Sequence, residues 1–463
     1  MTKNLILLIV LPLMIACNNN GKTNETKDSS AVTFVTLDPG HFHAGLVQKT
    51  MFPGVDSNVY VYAPAGPDLD QHLKRIESFN TRAENPTYWN EIVYTRPDFF
   101  EKMIQEKKGN VVVMAGNNGK KTEYIYKTLE AGMNVLADKP MAINTQGFEQ
   151  LKKAFEIAKQ KHVLLYDIMT ERFEINTMLQ KEFSHIITVF GELEKGTPKN
   201  PAVTKESVHH FYKSVAGSIL QRPAWFFDVT QQGEGIVDVT THLVDMIQWA
   251  CFPEQIIDYT KDVEMVAAKR WPTPITLSQF ADVTKSAVFP DYLKKDVAND
   301  SILNVFGNGE INYKLKGVHA KVSVVWAYKA PEGTGDTHYS IMRGTRANLI
   351  IRQGKEQNFK PILYIEPVKK SDTGFEKDLA DAMKTVSAKY AGVDLKKVAN
   401  GWQVNVPESY NVGHETHFGQ VTEKYLEYLK AGKLPDWEVP NMITKYYITT
   451  KALEMASQSA SEK

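Results

Sequence analysis

Short apolar segments of strand type alternate with helical segments in the first third of this 463-residue chain. The strand segments are rich in Val, Tyr and Phe, whereas the segments between them repeat apolar residues with the 3.6-residue period of a helix. This alternation predicts a parallel sheet wound with right-handed crossovers. The predicted strands are 32–37, 58–63, 110–115 and 134–137, and the predicted helices include 99–104 and 123–130.

The rest of the chain predicts a domain built on a different sheet. Between residues 317 and 354, apolar and polar residues alternate as in paired strands, and 333–337 has the composition of a turn. The sequence therefore predicts an α/β protein. A doubly wound parallel sheet is expected over 31–165, and an α+β domain with an open, mainly antiparallel sheet over 166–463.

The charge balance gives no reason to expect a polyanionic partner. Lys+Arg and Asp+Glu both number 54, so the formal net charge is +0 and no surface for nucleic acid is predicted. The two cysteines, Cys17 and Cys251, have no metal-ligand spacing. Neighbouring histidines such as His209 and His210 rarely chelate one ion, so no metal site is predicted.

Residues 1–30 have the pattern of an export signal followed by a tether. The apolar run 5–15 is short for a membrane span and leads into a stretch that resembles a bacterial lipobox ending at Cys17. Residues 1–17 are therefore predicted to be a lipoprotein signal, with Cys17 lipidated and 18–30 a flexible tether. The alternative is an ordinary secretory signal with an incidental cysteine. The expected location is a membrane anchor facing the periplasm, with surface display as the second option.

Polar turns follow the predicted parallel strands, whose carboxyl ends form the ligand-binding edge of such a sheet. The turn 38–45 supplies one glycine, Gly40, where a dinucleotide-binding sheet would carry G-x-G-x-x-G. The second strand ends at Ala63, without the acid that would hold a ribose. A plain turn before a helix explains 38–45 as well as a phosphate site does. After the fourth strand stand two opposite charges, Asp138 and Lys139.

The segment 110–161 resembles the Gfo/Idh/MocA family of sugar and polyol oxidoreductases, with Asp-Lys-Pro at 138–140 in place of the family's Glu-Lys-Pro. The resemblance implies a Rossmann-type first domain that binds NAD or NADP, with Lys139 beside the nicotinamide and the reacting carbon. It also implies cofactor contacts at the stretch 169–173. The cofactor-binding candidates are Asp38, Gly40, His41, Phe42, His43, Ala63, Asn117, Asn118, Asp138, Lys139, Met169 and Arg172.

A second segment, 231–252, resembles the family's glycine-rich helix start that carries Asp-x-x-x-His. Helical spacing places Asp238, His242, Asp245 and Trp249 on one polar stripe that we expect to face a site. Oxidation of a secondary alcohol needs a base near the hydroxyl. We predict that His242 is the acid/base and that Asp238 fixes the tautomer of His242 or holds a sugar hydroxyl.

Lys139 is predicted to complete the catalytic group by polarising the substrate hydroxyl. A positively charged nicotinamide beside it would pull the pKa of Lys139 toward neutral. The structural alternative for Lys139 is an ion pair with Asp138 at the strand end.

The second domain is expected to supply the substrate wall and, by the family resemblance, the interface of a homo-oligomer. Histidines, a lysine, a carboxylate and aromatic rings suit the hydroxyls and faces of a carbohydrate. The substrate-binding candidates are His210, Tyr212, Lys213, Trp225, Asp245 and His338.

Three functions are compatible with these features. The first is a nicotinamide-dependent oxidoreductase acting on a secondary alcohol of a sugar, glycoside or polyol. The second is a redox-neutral, NAD-dependent glycoside hydrolase that oxidises its sugar transiently. The third is a sugar-binding lipoprotein without chemistry. An exported enzyme has no free NAD pool, so a tightly bound cofactor is expected in the first two. The second strand does not decide between NAD and NADP.

Overall fold

The computed structural model describes residues 32–215 and 218–461. The predicted signal, the tether and Cys17 lie outside the described residues. Among the helices in the described part of the chain, none is long and apolar enough to span a membrane.

A parallel sheet forms the first part of the described chain and confirms the doubly wound prediction. Its strand order is β3-β2-β1-β4-β5-β6, so the chain winds outward in both directions from β1. Strands β1, β4 and β6 are buried along their whole length, as their apolar sequences require. The strands are Phe34–Leu37 (β1), Asn58–Tyr62 (β2), Asn90–Tyr94 (β3), Val111–Met114 (β4), Asn134–Asp138 (β5) and Leu165–Ile168 (β6).

The helices between these strands begin and end at recognisable residues. Asn117 caps α4 by accepting a hydrogen bond from the backbone N–H of Gly119, and Asn144 caps α5 by accepting one from that of Gly147. Both predicted helices lie inside observed ones. The helices are His43–Leu46 (α1), Pro67–Thr81 (α2), Phe99–Glu106 (α3), Asn118–Glu130 (α4) and Thr145–Lys161 (α5).

The second sheet is mainly antiparallel, as predicted. Its order is β10-β12-β13-β7-β14-β15-β16-β18-β17, with β11 beside β12, and the pair β13 and β7 is parallel. A short hairpin of β8 and β9 stands apart from it. The strands are Val203–Tyr212 (β7), Ser214–Val215 (β8), Ser218–Ile219 (β9), Val263–Thr276 (β10), Val297–Ala298 (β11), Ile302–Leu315 (β12), Val318–Lys329 (β13), Thr337–Arg343 (β14), Ala347–Arg352 (β15), Ile362–Pro367 (β16), Asp394–Val398 (β17) and Gly401–Asn405 (β18).

Helices of the second part connect and flank this sheet, and short 3₁₀ helices lie between them. The α helices are Ile175–Ser184 (α6), Ile187–Phe190 (α7), Val229–Gln232 (α8), Thr240–Cys251 (α9), Leu277–Thr284 (α10), Phe375–Lys389 (α11), His414–Ala431 (α12) and Glu438–Ser461 (α13). The 3₁₀ helices are Thr170–Phe173, Ala224–Phe227, Asp291–Asp296, Lys355–Gln357 and Glu408–Tyr410.

The two last helices return to the first sheet. Phe418 and Tyr425 of α12 and Met442 and Tyr446 of α13 are buried in the same apolar core as the parallel strands. The ring of Tyr425 stacks on that of Tyr166 with 6.1 Å between centroids. All residues after 166 were predicted to belong to the second domain. In the structure, α12 and the first half of α13 contribute to the core of the first sheet, while Ile448, Ala452 and Ala456 of α13 lie in the core of the second.

Candidate functional site

A cavity of about 1060 Å³ lies between the carboxyl edge of the parallel sheet and the second sheet. Three parts of the chain form one wall of this cavity: the turn after β1, the end of β5, and the segment that leads into α9. The lining residues from these parts include His41, Phe42, His43, Lys139, Asp238 and His242. Lys139 therefore lies at the carboxyl edge of the parallel sheet, as the strand pattern predicted.

Lys139 forms an ion pair with Asp238 across the two domains. The Nζ of Lys139 donates to Oδ1 of Asp238 at 2.6 Å, and the exposed fractions of the two side chains are 11% and 6%. Burial lowers the pKa of Lys139, but the carboxylates of Asp238 and Asp138 outweigh burial and raise the pKa above its ordinary value. In the protein alone, Lys139 is therefore a charged donor rather than a near-neutral amine, and its ion-pair partner is not Asp138.

Asp238 holds Lys139 rather than His242. Its second oxygen accepts a hydrogen bond from Nε2 of Gln232 at 3.1 Å, which fixes the carboxylate. The orienting role that the sequence suggested for Asp238 toward His242 is not what the hydrogen bonds show, because Gln232 and Lys139 take both oxygens. Gln232 was not a sequence candidate, since an amide six residues before Asp238 has no motif of its own.

His242 is a neutral imidazole with an unused nitrogen. Its Nδ1 is buried and has no hydrogen-bond partner among the described residues. Burial, followed by the charge of Lys139, lowers the pKa of His242 well below the usual value of 6.5. His242 also lines the cavity, and a neutral imidazole beside a cavity can accept a proton from a ligand.

The buried imidazole of His242 predicts a loss of stability in acid. In the unfolded chain His242 protonates near pH 6.5, whereas in the folded chain it stays neutral to lower pH. The unfolded state therefore binds more protons below pH 6.5, and the free energy of unfolding falls as the pH falls. Urea denaturation at pH 7.5 and 5.5 measures this loss.

Substitution isolates the contribution of His242 to that loss. His242→Gln should reduce the dependence of unfolding free energy on pH by up to about 1.4 kcal/mol per pH unit below 6.5. His162→Asn, at an exposed position with left-handed backbone, is the matched control and should leave the dependence unchanged. An unchanged dependence in His242→Gln would contradict a neutral His242.

The opposite wall of the cavity comes from the second sheet. Asp336 accepts from Nδ1 of His209 at 3.0 Å and also binds His210 and Lys213. Burial raises the pKa of Asp336, but these three neighbours outweigh burial and hold the pKa well below its usual range. Lys213 and His338, both predicted for the substrate, line the cavity, as do His209 and Asp336.

A buried lysine deeper in this wall was also missed by the sequence analysis. Nζ of Lys205 donates to Oγ of Ser340 at 2.9 Å and to Oε1 of Gln180 at 3.1 Å. Burial lowers the pKa of Lys205 to about 8. No motif marks Lys205, which has the pattern of one polar position in a strand.

Arg172 and Asp245, which were predicted for the cofactor and the substrate, are held in a buried ion network in this structure. Nε and Nη2 of Arg172 donate to the two oxygens of Asp245 at 2.7 and 2.8 Å, and Nη1 donates to Glu438 at 2.8 Å. Lys445 bridges Asp245 at 2.9 Å and Asp167 at 2.8 Å. This network joins α9, α13 and the end of β6, and its members do not line the cavity within the described residues.

Other sequence candidates pack away from the cavity. Ala63 and Met169 are buried in the core, and Tyr212 packs against Tyr328 with 6.0 Å between ring centroids. His210 is buried behind the cavity wall, where it contacts Asp336. The predicted polar stripe on α9 therefore faces the cavity only at its start, and its last member, Trp249, packs against Lys181.

The turn after β1 is covered by the second domain. The indole of Trp225 donates to Asp68 at 2.8 Å and lies over Gly40, where an added Cβ would be 2.9 Å from its Cζ2 atom. The backbone N–H of His41 is bonded to the carbonyl of Ala115. Asp38 of the same turn has left-handed backbone and accepts from the Tyr124 hydroxyl at 3.3 Å.

The loop after β4 is covered in the same way. Nδ2 of Asn117 donates to Oε1 of Gln231, and Nδ2 of Asn118 donates to the carbonyl of Gln232, each at 2.7 Å. Both amides were predicted to contact the nicotinamide ribose, but here they bind residues of α8.

The described residues fit one end of a dinucleotide better than the other. Around the cavity, Phe42, Lys139 and His242 offer an apolar face, a cation and a base, which suits a nicotinamide and an alcohol. At the first turn, the indole of Trp225 packs against Gly40. A dinucleotide whose pyrophosphate lies on this side of Gly40 would contact or displace the indole.

Trp225→Ala is expected to tighten dinucleotide binding. The substitution removes the indole over Gly40 and its hydrogen bond to Asp68. A hydrogen bond to a charged group contributes about 1.5 kcal/mol, so the Kd for NAD or NADP should fall roughly tenfold. Titration calorimetry measures the Kd, and Trp271→Ala on the exposed face of β10 is the matched control. A weaker Kd in Trp225→Ala would instead make the indole part of the binding site.

The fold joins a Rossmann-type parallel sheet to an open mixed sheet, and a charged lysine and a neutral histidine lie between the two sheets. Together these features define a class of two-domain oxidoreductases. Residues 69–167 match the family model described as "Oxidoreductase family, NAD-binding Rossmann fold" of Gfo/Idh/MocA. Residues 179–457 match the model described as "Putative oxidoreductase C terminal domain". The chain belongs to the oxidoreductase family that combines these two domains, which confirms the resemblance seen in the sequence.

Solved structures agree with this assignment. A "putative oxidoreductase" from Parabacteroides merdae ATCC 43184 is 63% identical, with a TM-score of 0.91 over 93% of this chain and 98% of that one. Levoglucosan dehydrogenase in complex with NADH and levoglucosan is 12% identical, with a TM-score of 0.58 over 92% and 98%. Biliverdin reductase from Synechocystis sp. PCC 6803 is 11% identical, with a TM-score of 0.55 over 92% and 99%. The last two share the fold. No curated protein matches the chain.

Proposed function

We propose that the protein transfers hydride to or from a secondary alcohol of a sugar, glycoside or polyol, using a tightly bound NAD or NADP. The observation that carries this proposal is the Lys139–Asp238 ion pair at 2.6 Å beside the neutral His242 on one wall of the cavity. An ammonium and an imidazole are the donor and the acceptor that alcohol oxidation and carbonyl reduction require.

The chain's own residues handle the proton and the alcohol oxygen. Bound nicotinamide would supply the acceptor or donor of the hydride at the reacting carbon. The imidazole of His242 takes the hydroxyl proton during oxidation and returns it during reduction. Lys139 donates to the same oxygen and stabilises negative charge on it, while Asp238 keeps the ammonium in place. Phe42 and Lys139 are the cavity residues that would contact the nicotinamide end.

The remaining walls support a carbohydrate as the substrate class. His209, Lys213 and His338 present hydrogen-bonding groups to the cavity, and Trp326 and Tyr410 present aromatic rings. Sugars are bound by this combination of hydroxyl partners and ring faces. The levoglucosan dehydrogenase structure, which has the same fold, contains NADH and a sugar derivative.

Two measurements on purified protein test the proposal. Denaturation should release NAD or NADP, or the emptied protein should bind one of them. Incubation with a panel of glycosides and polyols should then yield a keto-sugar or reduced cofactor. A protein that neither releases nor binds either nucleotide contradicts the proposal. Free reducing sugar with unchanged cofactor would assign glycoside hydrolysis in its place.

We also propose, from the sequence, that the protein is an exported lipoprotein anchored through Cys17. Metabolic labelling with a radioactive fatty acid should mark the wild-type chain, whereas Cys17→Ala should be unlabelled and released from membranes. A homo-oligomer formed through the second sheet remains part of the proposal, and the exposed Trp271 and Val325 lie on β10 and β13 of that sheet. Sedimentation of a Trp271→Lys variant checks it.

A further inference from the structure

We propose that His41, His43 and Asp138 bind a divalent transition-metal ion at the edge of the cavity. The two histidines come from the turn after β1, and Asp138 is the last residue of β5. Within the described residues, one ligand atom from each lies within 4.8 Å of those from the other two. No metal site was predicted from the sequence, since Asp138 lies 95 residues from His43 and no motif links the three residues.

The distances suit a tetrahedral ion. Oδ2 of Asp138 lies 2.9 Å from Nδ1 of His43 and 3.6 Å from Nδ1 of His41. Ligand atoms at about 2.0 Å from a tetrahedral ion lie about 3.3 Å from each other. The two imidazole rings converge, with centroids 4.1 Å apart and an interplanar angle of 85°. An ion bound to all three atoms therefore needs shifts of only a few tenths of an ångström along the two measured edges.

The ligand set indicates the kind of ion. Two imidazole nitrogens and one carboxylate oxygen favour Zn²⁺, Co²⁺ or Fe²⁺ over Mg²⁺ and Ca²⁺, which prefer oxygen ligands. Three protein ligands leave at least one coordination position open, as in catalytic rather than structural zinc sites. His41 and His43 line the cavity while Asp138 is only 4% exposed, so the open position faces the cavity.

Two of the nearby cations are paired with carboxylates, Lys139 with Asp238 and Lys213 with Asp336. Two others bind neutral groups among the described residues. The guanidinium of Arg222 donates to the backbone carbonyls of Phe211 and His210, and Nζ of Lys121 donates to Asn118 and to the backbone carbonyls of Asp138 and Pro140. A dication at the three ligands is therefore attracted by the carboxylate of Asp138 and repelled by Arg222 and Lys121, which lowers its affinity.

The turn after β1 is poorly arranged for binding a phosphate through its backbone. Trp225 covers Gly40, and the backbone N–H of His41 already donates to the carbonyl of Ala115. The side chains of His41 and His43 are the polar groups of this turn that reach the cavity. An ion there would offer its open position to a hydroxyl or carbonyl oxygen of a ligand in the cavity. This site goes beyond the proposed hydride transfer and is tested without turnover.

Cobalt binding to untagged, chelator-treated protein is the experiment. The wild-type chain should take up one Co²⁺ and develop the visible absorption of a four- or five-coordinate ion, and Zn²⁺ should displace it. His41→Gln should weaken Co²⁺ binding at least about tenfold, because one of three ligand atoms is lost. His41 is the decisive variant, since among the described residues its Nδ1 accepts a single, long hydrogen bond of 3.4 Å, so its replacement should disturb the fold least.

Control variants locate the ion. His43→Gln and Asp138→Asn should weaken Co²⁺ binding similarly, with circular dichroism confirming that each remains folded. The exposed His162→Asn should bind Co²⁺ as the wild type does. A wild-type protein with no Co²⁺ absorption at micromolar free metal overturns the proposal. Full binding in His41→Gln with loss in His414→Gln and His417→Gln, on the first turn of α12, also overturns it.

Discussion

Lys139→Met is expected to lower kcat/KM by about 10²- to 10⁴-fold, the usual contribution of a group that handles proton and charge in the transition state. The same change should destabilise the fold by about 3 kcal/mol, because it leaves the buried carboxylate of Asp238 without its cation. Steady-state kinetics and urea denaturation measure the two effects separately.

The double variant Lys139→Met with Asp238→Asn separates catalysis from stability. Removing both charges takes away the unpaired buried carboxylate, so much of the lost stability should return, while kcat/KM should stay low. Lys120→Met, at an exposed lysine beside the same sheet edge, is the matched control and should behave as the wild type. Full turnover in Lys139→Met would remove this residue from the mechanism.

Lys445→Met should destabilise the protein by about 3–5 kcal/mol, the cost of breaking a buried ion network from one side. The side chain of Lys445 is fully buried, and its Nζ lies 2.8 Å from Asp167 and 2.9 Å from Asp245. Its loss leaves Asp167 without a cation and Asp245 with Arg172 alone. The midpoint of urea denaturation should fall, while the KM of the folded protein should not change, because the network does not line the cavity.

A second lysine on α13 provides the comparison. Lys451 pairs with Glu454 at 3.0 Å on the helix surface, where ion pairs contribute about 0.5 kcal/mol or less. Lys451→Met should therefore leave the denaturation midpoint nearly unchanged. If both variants lose equally little stability, the Asp167–Lys445–Asp245 bridge does not hold the domains together.

Sequence periodicity found the strands that are apolar on both faces. The central strand β1 is fully buried and packed on both sides, so its composition alone indicates a parallel strand. The edge strand β3 was missed because the charged Glu91 is largely covered while the apolar Ile92 and Val93 are exposed, so its hydrophobicity does not follow its burial. Edge strands lack the uniform burial that makes such a pattern visible.

Sequence motifs predicted which residues line the site, but they did not predict which side chains form ion pairs with each other. Lys139 and His242 stand in family motifs, and both line the cavity. Asp238 also stands in a motif, but its partner lies 99 residues away in the sequence, so the choice between Lys139 and His242 is made by the fold. Asp245 was misread for the same reason, since Arg172 is 73 residues distant.

The contribution of α12 and α13 to the core of the first sheet has a consequence for the order of folding. The parallel strands are complete by residue 168, yet part of the apolar core around them is supplied by residues from Phe418 onward. A chain made from its N-terminus therefore completes this core only when its last helices have been made, in contrast to multidomain proteins whose first domain folds as a unit. A form truncated before α12 would leave that part of the core exposed to water.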